Sequence, residues 1–302
     1  MACASVTVTD VSSLLHRPVE RPALRVVILR DADRGQLARL IDEDPIVNAV
    51  ISSRLRGLGT VEPRTFGGLL IGARTLDGTL RGAAFSGGNL LPIGGGIHEW
   101  QALATNVLAR DRICSSIVGR ADAVAGMWEI LSGAWGPART IRRTQRLLVL
   151  DRAAGPDGGD DRVRPMRPEE LDAYLPAAVA MFTEELGVAP QRAAHVGDYR
   201  RRVAGLIQEG RAFGILDRDG TVIFKADVGA VSPDTCQVQG VWVRPDLRGR
   251  GIGTAALVPV LRHALTLAPS VSLYVNDFNV AARRMYDRLG MRETAVLSTI
   301  LF

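Results

Sequence analysis

Lysine is all but missing from this chain: Lys225 is the only one, and arginine supplies the rest of the 37 basic side chains. The arginines are spread through the sequence rather than massed in a run. The net charge of +5 therefore favours anionic partners in general, without a basic tract that would point to nucleic acid. A bias of this kind fits a GC-rich genome more than a function. Cysteine is scarce too. Cys3, Cys114 and Cys236 are an odd, scattered set, which excludes a disulfide framework and fits a reducing compartment. The four histidines, His16, His98, His195 and His263, show no metal-ligand spacing, so no metal is expected. There is no run of about 18 apolar residues, and so no expected membrane span. The N-terminus has no basic region followed by an apolar block, so the expectation is a cytoplasmic protein. No Gly-x-Ser-x-Gly elbow supports hydrolase chemistry. What remains is an ordinary globular composition, 47% hydrophobic and 23% charged over 302 residues, long enough for two domains.

The informative stretch runs from Val238 to Thr254. Val238, Val241 and Val243 mark a strand, and Pro245 ends it because proline has no N–H for a ladder. Arg248-Gly249-Arg250-Gly251-Ile252-Gly253 follows, and then Ala256, Leu257, Val260, Leu261, Ala264 and Leu265 recur at helical spacing. A strand, a glycine-rich basic turn and a helix start in succession make an anion site. The first N–H groups of a helix lack partners, the dipole adds about half a positive charge, and glycine lets a phosphate approach the backbone. The turn is not a Walker loop, which needs a lysine, nor a dinucleotide fingerprint, which needs a different glycine spacing.

Arg-x-x-Gly-x-Gly at Arg248, Gly251 and Gly253, behind a Val-x-Val strand, resembles the pyrophosphate-binding signature of the GNAT superfamily of acyl-CoA N-acyltransferases. Arg54-Leu55-Arg56-Gly57-Leu58-Gly59 matches the same spacing, but no strand is expected before it and no helix after it. Downstream, Leu273-Tyr274-Val275-Asn276 and then Asn279, Ala282, Tyr286 and Gly290 continue the resemblance, with 279, 282 and 286 on one helical face. Asn276 and Asn279 read equally as loop and helix caps.

Residues 1–22 read as a mobile tail, 23–150 as one domain, the Gly-, Pro- and Asp-rich 151–161 as a linker and 162–302 as a second domain. The same order of strands and helices is expected in both. For 162–302 it is a strand near 162–166, helices at 168–185 and 196–209, a hairpin of 212–217 and 221–229, a strand at 236–243, helix 251–266, strand 271–275, helix 279–289 and terminal strands. The first segment repeats it from 24 to 150, with a last strand at 145–150. The expected fold class is α+β: two tandem GNAT-like domains, each a mixed, mostly antiparallel sheet flanked by helices. The N-terminal copy is degenerate, because Leu91–Gly96 has glycines but no arginine and Trp128 stands where the tyrosine would be. The arrangement is similar to actinobacterial GNAT proteins with an N-terminal domain of unknown function, and to mycothiol synthase.

The resemblance implies acetyl-CoA as co-substrate and an amine, on a small molecule or a peptide, as acceptor. It implies that Val241, Trp242 and Val243 line the thioester, that the turn from Arg248 through Gly249, Arg250, Gly251, Ile252 and Gly253 to Thr254 grips the diphosphate, that Asn276 and Asn279 border the pantetheine arm, and that Tyr286 protonates the leaving thiolate. The general base is left open: Gln237 and Gln239 stand where a glutamate is common, so Glu184, Glu185, Asp227 or a water chain are the candidates. A site without a strong base suits a low-pKa α-amine better than a lysine-like one, whose deprotonation at pH 7 costs about 4–5 kcal/mol against roughly 1. A coenzyme A-binding sensor and an aminoacyl-transferring tandem protein are the alternative functions, and a homodimer is compatible with either.

Overall fold

The computed structural model describes residues 23–152, 156–187 and 196–302. The expected tail at 1–22, residues 153–155 of the expected linker, His16, His195 and Cys3 lie outside the described residues.

In the N-terminal half, strand β1 (Arg25–Ile28) leads to helices α1 (Arg34–Asp42), α2 (Ala49–Leu58) and the one-turn α3 (Pro63–Phe66). Strands β2 (Leu69–Arg74), β3 (Leu80–Ser86) and β4 (Leu90–Gly94) follow, then α4 (Ile97–Leu108), β5 (Ser116–Arg120), α5 (Ala121–Trp135) and β6 (Thr140–Asp151). The C-terminal half repeats the order: β7 (Arg164–Pro165), α6 (Leu171–Leu186), α7 (Val196–Gln208), β8 (Ala212–Leu216), β9 (Val222–Val231), β10 (Cys236–Val243), α8 (Ile252–Leu267), β11 (Ser270–Asn276), α9 (Val280–Arg288) and β12 (Arg292–Leu301). Two expectations shift. The terminal strands are one continuous β12, and β6 begins at Thr140 rather than 145, because its first five residues, mostly polar and exposed with Ile141 the one apolar side chain, carry no hydrophobic alternation.

All twelve strands form one sheet, in the order β1-β2-β3-β4-β5-β12-β6-β11-β10-β9-β8-β7. The order is symmetric about the β12–β6 pair, and at that centre the last strands are exchanged. β12, the end of the chain, pairs with β5 of the N-terminal half over Leu297–Leu301, while β6 pairs with β11 of the C-terminal half over Ser270–Asn276. Each half is completed by the other's final strand. A ladder shared in this way makes the two halves one cooperative unit at the centre of the sheet.

Helix α8 fixes the geometry that matters for the site. Leu257, Leu261 and Leu265 lie on one stripe with Val260 and Ala264, all buried against a core that includes Phe213, Phe224, Val228, Val271 and Leu273. Burying each leucine stabilises by about 1.5–3 kcal/mol. Pro259 interrupts the helix bonding, since it has no N–H to give the Ala255 carbonyl. The segment between β6 and β7 supplies the missing donor: Asp160 N–H reaches the Ala255 oxygen at 3.0 Å, and Gly159 lies against the Pro259 ring with no room for a Cβ. Arg152, just after β6, donates to the carbonyls of Leu265 and Ala268 at the end of α8.

Candidate active site

β10 and β11 are parallel neighbours, but their pairing is confined to Cys236–Val271 and Gln237–Ser272. Beyond Gln237 both strands run on, to Val243 and Asn276, without a ladder between them. The cause lies on the other side of β10. Its pairing with β9 shifts between Gln237 and Val238, where the β11 ladder ends, and again between Gln239 and Trp242, so that Gly240 and Val241 together oppose Ala226. Gly240 takes φ of 60°, a left-handed conformation that favours glycine. This bulge turns the strand away from β11 and leaves its main-chain groups on that edge without strand partners.

A cleft of about 620 Å³ opens in the splay. It is lined by Val241, Trp242 and Val243 on one wall, Asn276, Asn279 and Tyr286 on the other, and by Arg248, Gly249, Gly251, Ile252, Gly253 and Thr254 at one end. Arg250 is exposed and is not among the lining residues. Gly249 and Gly251 have φ of 76° and 79°, and a Cβ on either would meet no atom within 4 Å. The turn therefore presents bare backbone to open space at the start of α8, where the amides of Ile252, Gly253 and Thr254 have no helical acceptors. Arg248 is tied down by its own strand: its Nε donates to the Val243 carbonyl at 2.9 Å, and a terminal nitrogen meets Glu184 at 2.7 Å.

The candidate bases occupy three different settings. Glu184 is engaged twice, by Arg248 and by the Trp242 indole N–H at 3.1 Å. Glu185 lines the cleft with 44% of its side chain exposed, and one of its oxygens lies 3.8 Å from an Arg142 guanidinium nitrogen. Asp227 lies under the bulge rather than in the cleft wall. One of its oxygens accepts from the Tyr174 hydroxyl at 2.6 Å and the other from Lys225 Nζ at 2.7 Å. Lys225 is fully buried and also donates to the Gly240 carbonyl at 3.0 Å. The single lysine of the chain thus anchors the bulge from below, a role that sequence reasoning missed. Its only signal was a pair of opposite charges, Lys225 and Asp227, inside the otherwise apolar run Val222–Val231.

Tyr286 is 6% exposed, and burial, with the Glu185 charge adding to it, pushes its hydroxyl well above the ordinary value of 10. The hydroxyl has no hydrogen bond among the described residues. Asn279 caps α9 by accepting from Ala282 N–H at 3.2 Å. Asn276 accepts from Gln145 on the exchanged strand β6 at 2.9 Å.

The N-terminal half keeps the splay, since β4 and β5 pair only at Leu90–Ile117, but its anion site is filled. Glu99 accepts from Gly96 N–H at 2.9 Å at the start of α4, so the helix carries its own carboxylate where a phosphate would bind. The second glycine turn, Arg54–Gly59, lies at the end of α2, where carbonyls rather than amides face outward, and Arg54 is stacked between Phe66 and Phe85. Among the described residues no cluster of His, Cys, Asp or Glu could hold a metal, and no helix is long and apolar enough to cross a membrane.

A bulged strand splayed from its parallel neighbour above a glycine turn defines the GNAT acyltransferase fold, here in tandem. Residues 174–291 match the acetyltransferase (GNAT) family model, and residues 68–174 match a domain of unknown function, DUF4081. The stretch 174–291 is thus similar to the GNAT acetyltransferases, a family that uses acetyl-CoA as co-substrate. The chain is 37% identical over 80 residues to the peptidyl-lysine N-acetyltransferase YjaB of Salmonella typhimurium. That match takes in 26% of this chain and 48% of the relative, so it spans about half the length of the curated relative. Among solved structures, a GNAT-family acetyltransferase from Colwellia psychrerythraea superposes with a TM-score of 0.54 at 15% identity, covering 93% of this chain and 99% of the other. A tandem GNAT protein from the clavulanic acid biosynthesis pathway does so with 0.52 at 14%, covering 92% and 98%. These likenesses extend across both halves and establish the fold.

Proposed function

We propose that the chain transfers an acetyl group from acetyl-CoA to a primary amine, and that the acceptor is an α-amine of an amino acid or peptide. The observation that carries the reading is the cleft itself: bare glycine backbone at a helix N-terminus, an unpaired strand edge beside it and a protonated tyrosine opposite. The diphosphate would lie on the amides of Gly249–Thr254 and the thioester along Val241–Val243. A neutral amine attacks the thioester carbon, and an amide of Trp242 or Val243 stabilises the oxyanion as it forms. The carbon–sulfur bond then breaks, Tyr286 gives its proton to the leaving thiolate, and the amine's proton passes through water to Glu185. Burial keeps Tyr286 protonated at neutral pH, as a general acid requires.

Tyr286→Phe is expected to lower kcat about 100-fold while leaving the affinity for acetyl-CoA within twofold of wild type. A fall of less than twofold in kcat removes the leaving-group role. The acceptor class is tested by release of coenzyme A thiol with matched α- and ε-amine substrates. The expected result is faster turnover of the α-amine at pH 7. The second reading, an ε-amine acceptor, is favoured by the name of the Salmonella relative and by the acidic pair Glu184 and Glu185 beside the cleft. A clear ε-amine preference would establish it instead.

A further inference from the structure

One buried polar side chain reaches the cleft from the N-terminal half. Gln145 is 1% exposed, yet it lines the cavity. It stands there because β6 is exchanged: in the sheet it is the register partner of Asn276 on β11 and of Leu297 on β12. Its amide sits in a relay. Thr299 Oγ1 lies 2.5 Å from Gln145 Oε1, and Gln145 Nε2 lies 2.9 Å from Asn276 Oδ1. The hydrogen-bond network gives the relay its direction, and a 2.5 Å separation suits O–H···O better than N–H···O. The Thr299 hydroxyl therefore donates to Oε1, Nε2 donates to Asn276, and Asn276 must accept with its oxygen. Its remaining amide arm, the donor Nδ2, has no hydrogen bond among the described residues and belongs to a side chain that lines the cleft. A free asparagine could turn either arm outward, whereas this one is held with the donor available.

We propose that Gln145 is a positioning residue for acyl transfer. Supplied by the N-terminal half through the exchanged strand, it locks the Asn276 amide as a hydrogen-bond donor toward a carbonyl oxygen of the pantetheine arm. This rests on the reading of the cleft as the acetyl-CoA site. The N-terminal half, whose own anion site is filled by Glu99, then contributes a working part of the other half's site.

The test measures the affinity of Gln145→Met for acetyl-CoA and for adenosine 3′-phosphate 5′-diphosphate, which carries the diphosphate but no pantetheine. Loss of one aligned donor is expected to weaken acetyl-CoA about tenfold, to leave the fragment unchanged, and to have no further effect in an Asn276→Ala background. Thr299→Val, which keeps the side-chain shape, should give the same pattern at smaller size and serves if Gln145→Met does not fold. Equal weakening of both ligands, persistence of the effect without Asn276, or unchanged acetyl-CoA affinity overturns the proposal. Failure of the wild-type protein to bind acetyl-CoA overturns the reading of the cleft first, and the proposal with it.

Discussion

Gly251→Asp is expected to abolish measurable binding of acetyl-CoA while the protein stays folded. Two facts separate those outcomes. A Cβ at Gly251 meets no atom within 4 Å, so the new side chain clashes with nothing in the protein. The residue has φ of 79°, which costs a non-glycine residue about 1–2 kcal/mol, and aspartate tolerates it better than most. The carboxylate then stands at the mouth of the turn that would receive a diphosphate. One unit charge facing another at 4 Å costs about 4 kcal/mol at the effective dielectric of a protein surface, close to a thousandfold in affinity. Gly251→Asn carries the same backbone strain and nearly the same bulk without the charge, so it should lose far less. Calorimetric titration of both variants checks this. Unchanged affinity in the aspartate variant would place the diphosphate somewhere else.

The strand, glycine turn and helix start were legible in the sequence, whereas Arg250, expected in the grip, does not line the cleft. Local chemistry determines these elements: proline ends the strand, glycines permit the left-handed turn, and the apolar stripe from Ala256 to Leu265 docks the helix that supplies the amides. The repeated element order was legible for the same reason, since hydrophobic period and turn residues act over a few positions. The exchange of β6 and β12 was not. Both strands present the same alternation whether they pair with their own half or the other, because register depends on which faces are buried and not on which chain segment is the neighbour. Gln145 was hidden with it, since nothing local to Thr140–Asp151 says that its partner is Asn276, 131 residues away. The polar start of β6 is explained by the same contact. Arg139 and Arg142 donate to the carbonyls of Leu186 and Glu185 at the end of α6, so that the N-terminal half also holds the helix carrying Glu184 and Glu185.

The buried cluster beneath the bulge carries the other large expected effect. Lys225→Met should destabilise the protein by about 3–5 kcal/mol, read as a fall in the denaturant midpoint, because it leaves Asp227 buried with Tyr174 as its remaining donor and frees the Gly240 carbonyl. Adding Asp227→Leu removes the orphaned charge and should restore part of the stability, though the Tyr174 hydroxyl and the Gly240 oxygen then cost about 1–3 kcal/mol each if unpaired. Turnover should remain low in the double variant even where it is folded, since the anchor that holds Gly240 at φ of 60°, and with it the splay, is gone. Asp227→Asn decides between anchor and base. If Asp227 accepts the substrate's proton, the asparagine variant loses activity at nearly unchanged stability, and Lys225→Met does not follow it. If Asp227 and Lys225 hold the bulge, activity and stability fall together in both single variants, and the pH profile of the remaining activity keeps its shape. Loss of less than 1 kcal/mol in Lys225→Met would remove the anchor, and with it the account of why β10 leaves β11 at Gln237.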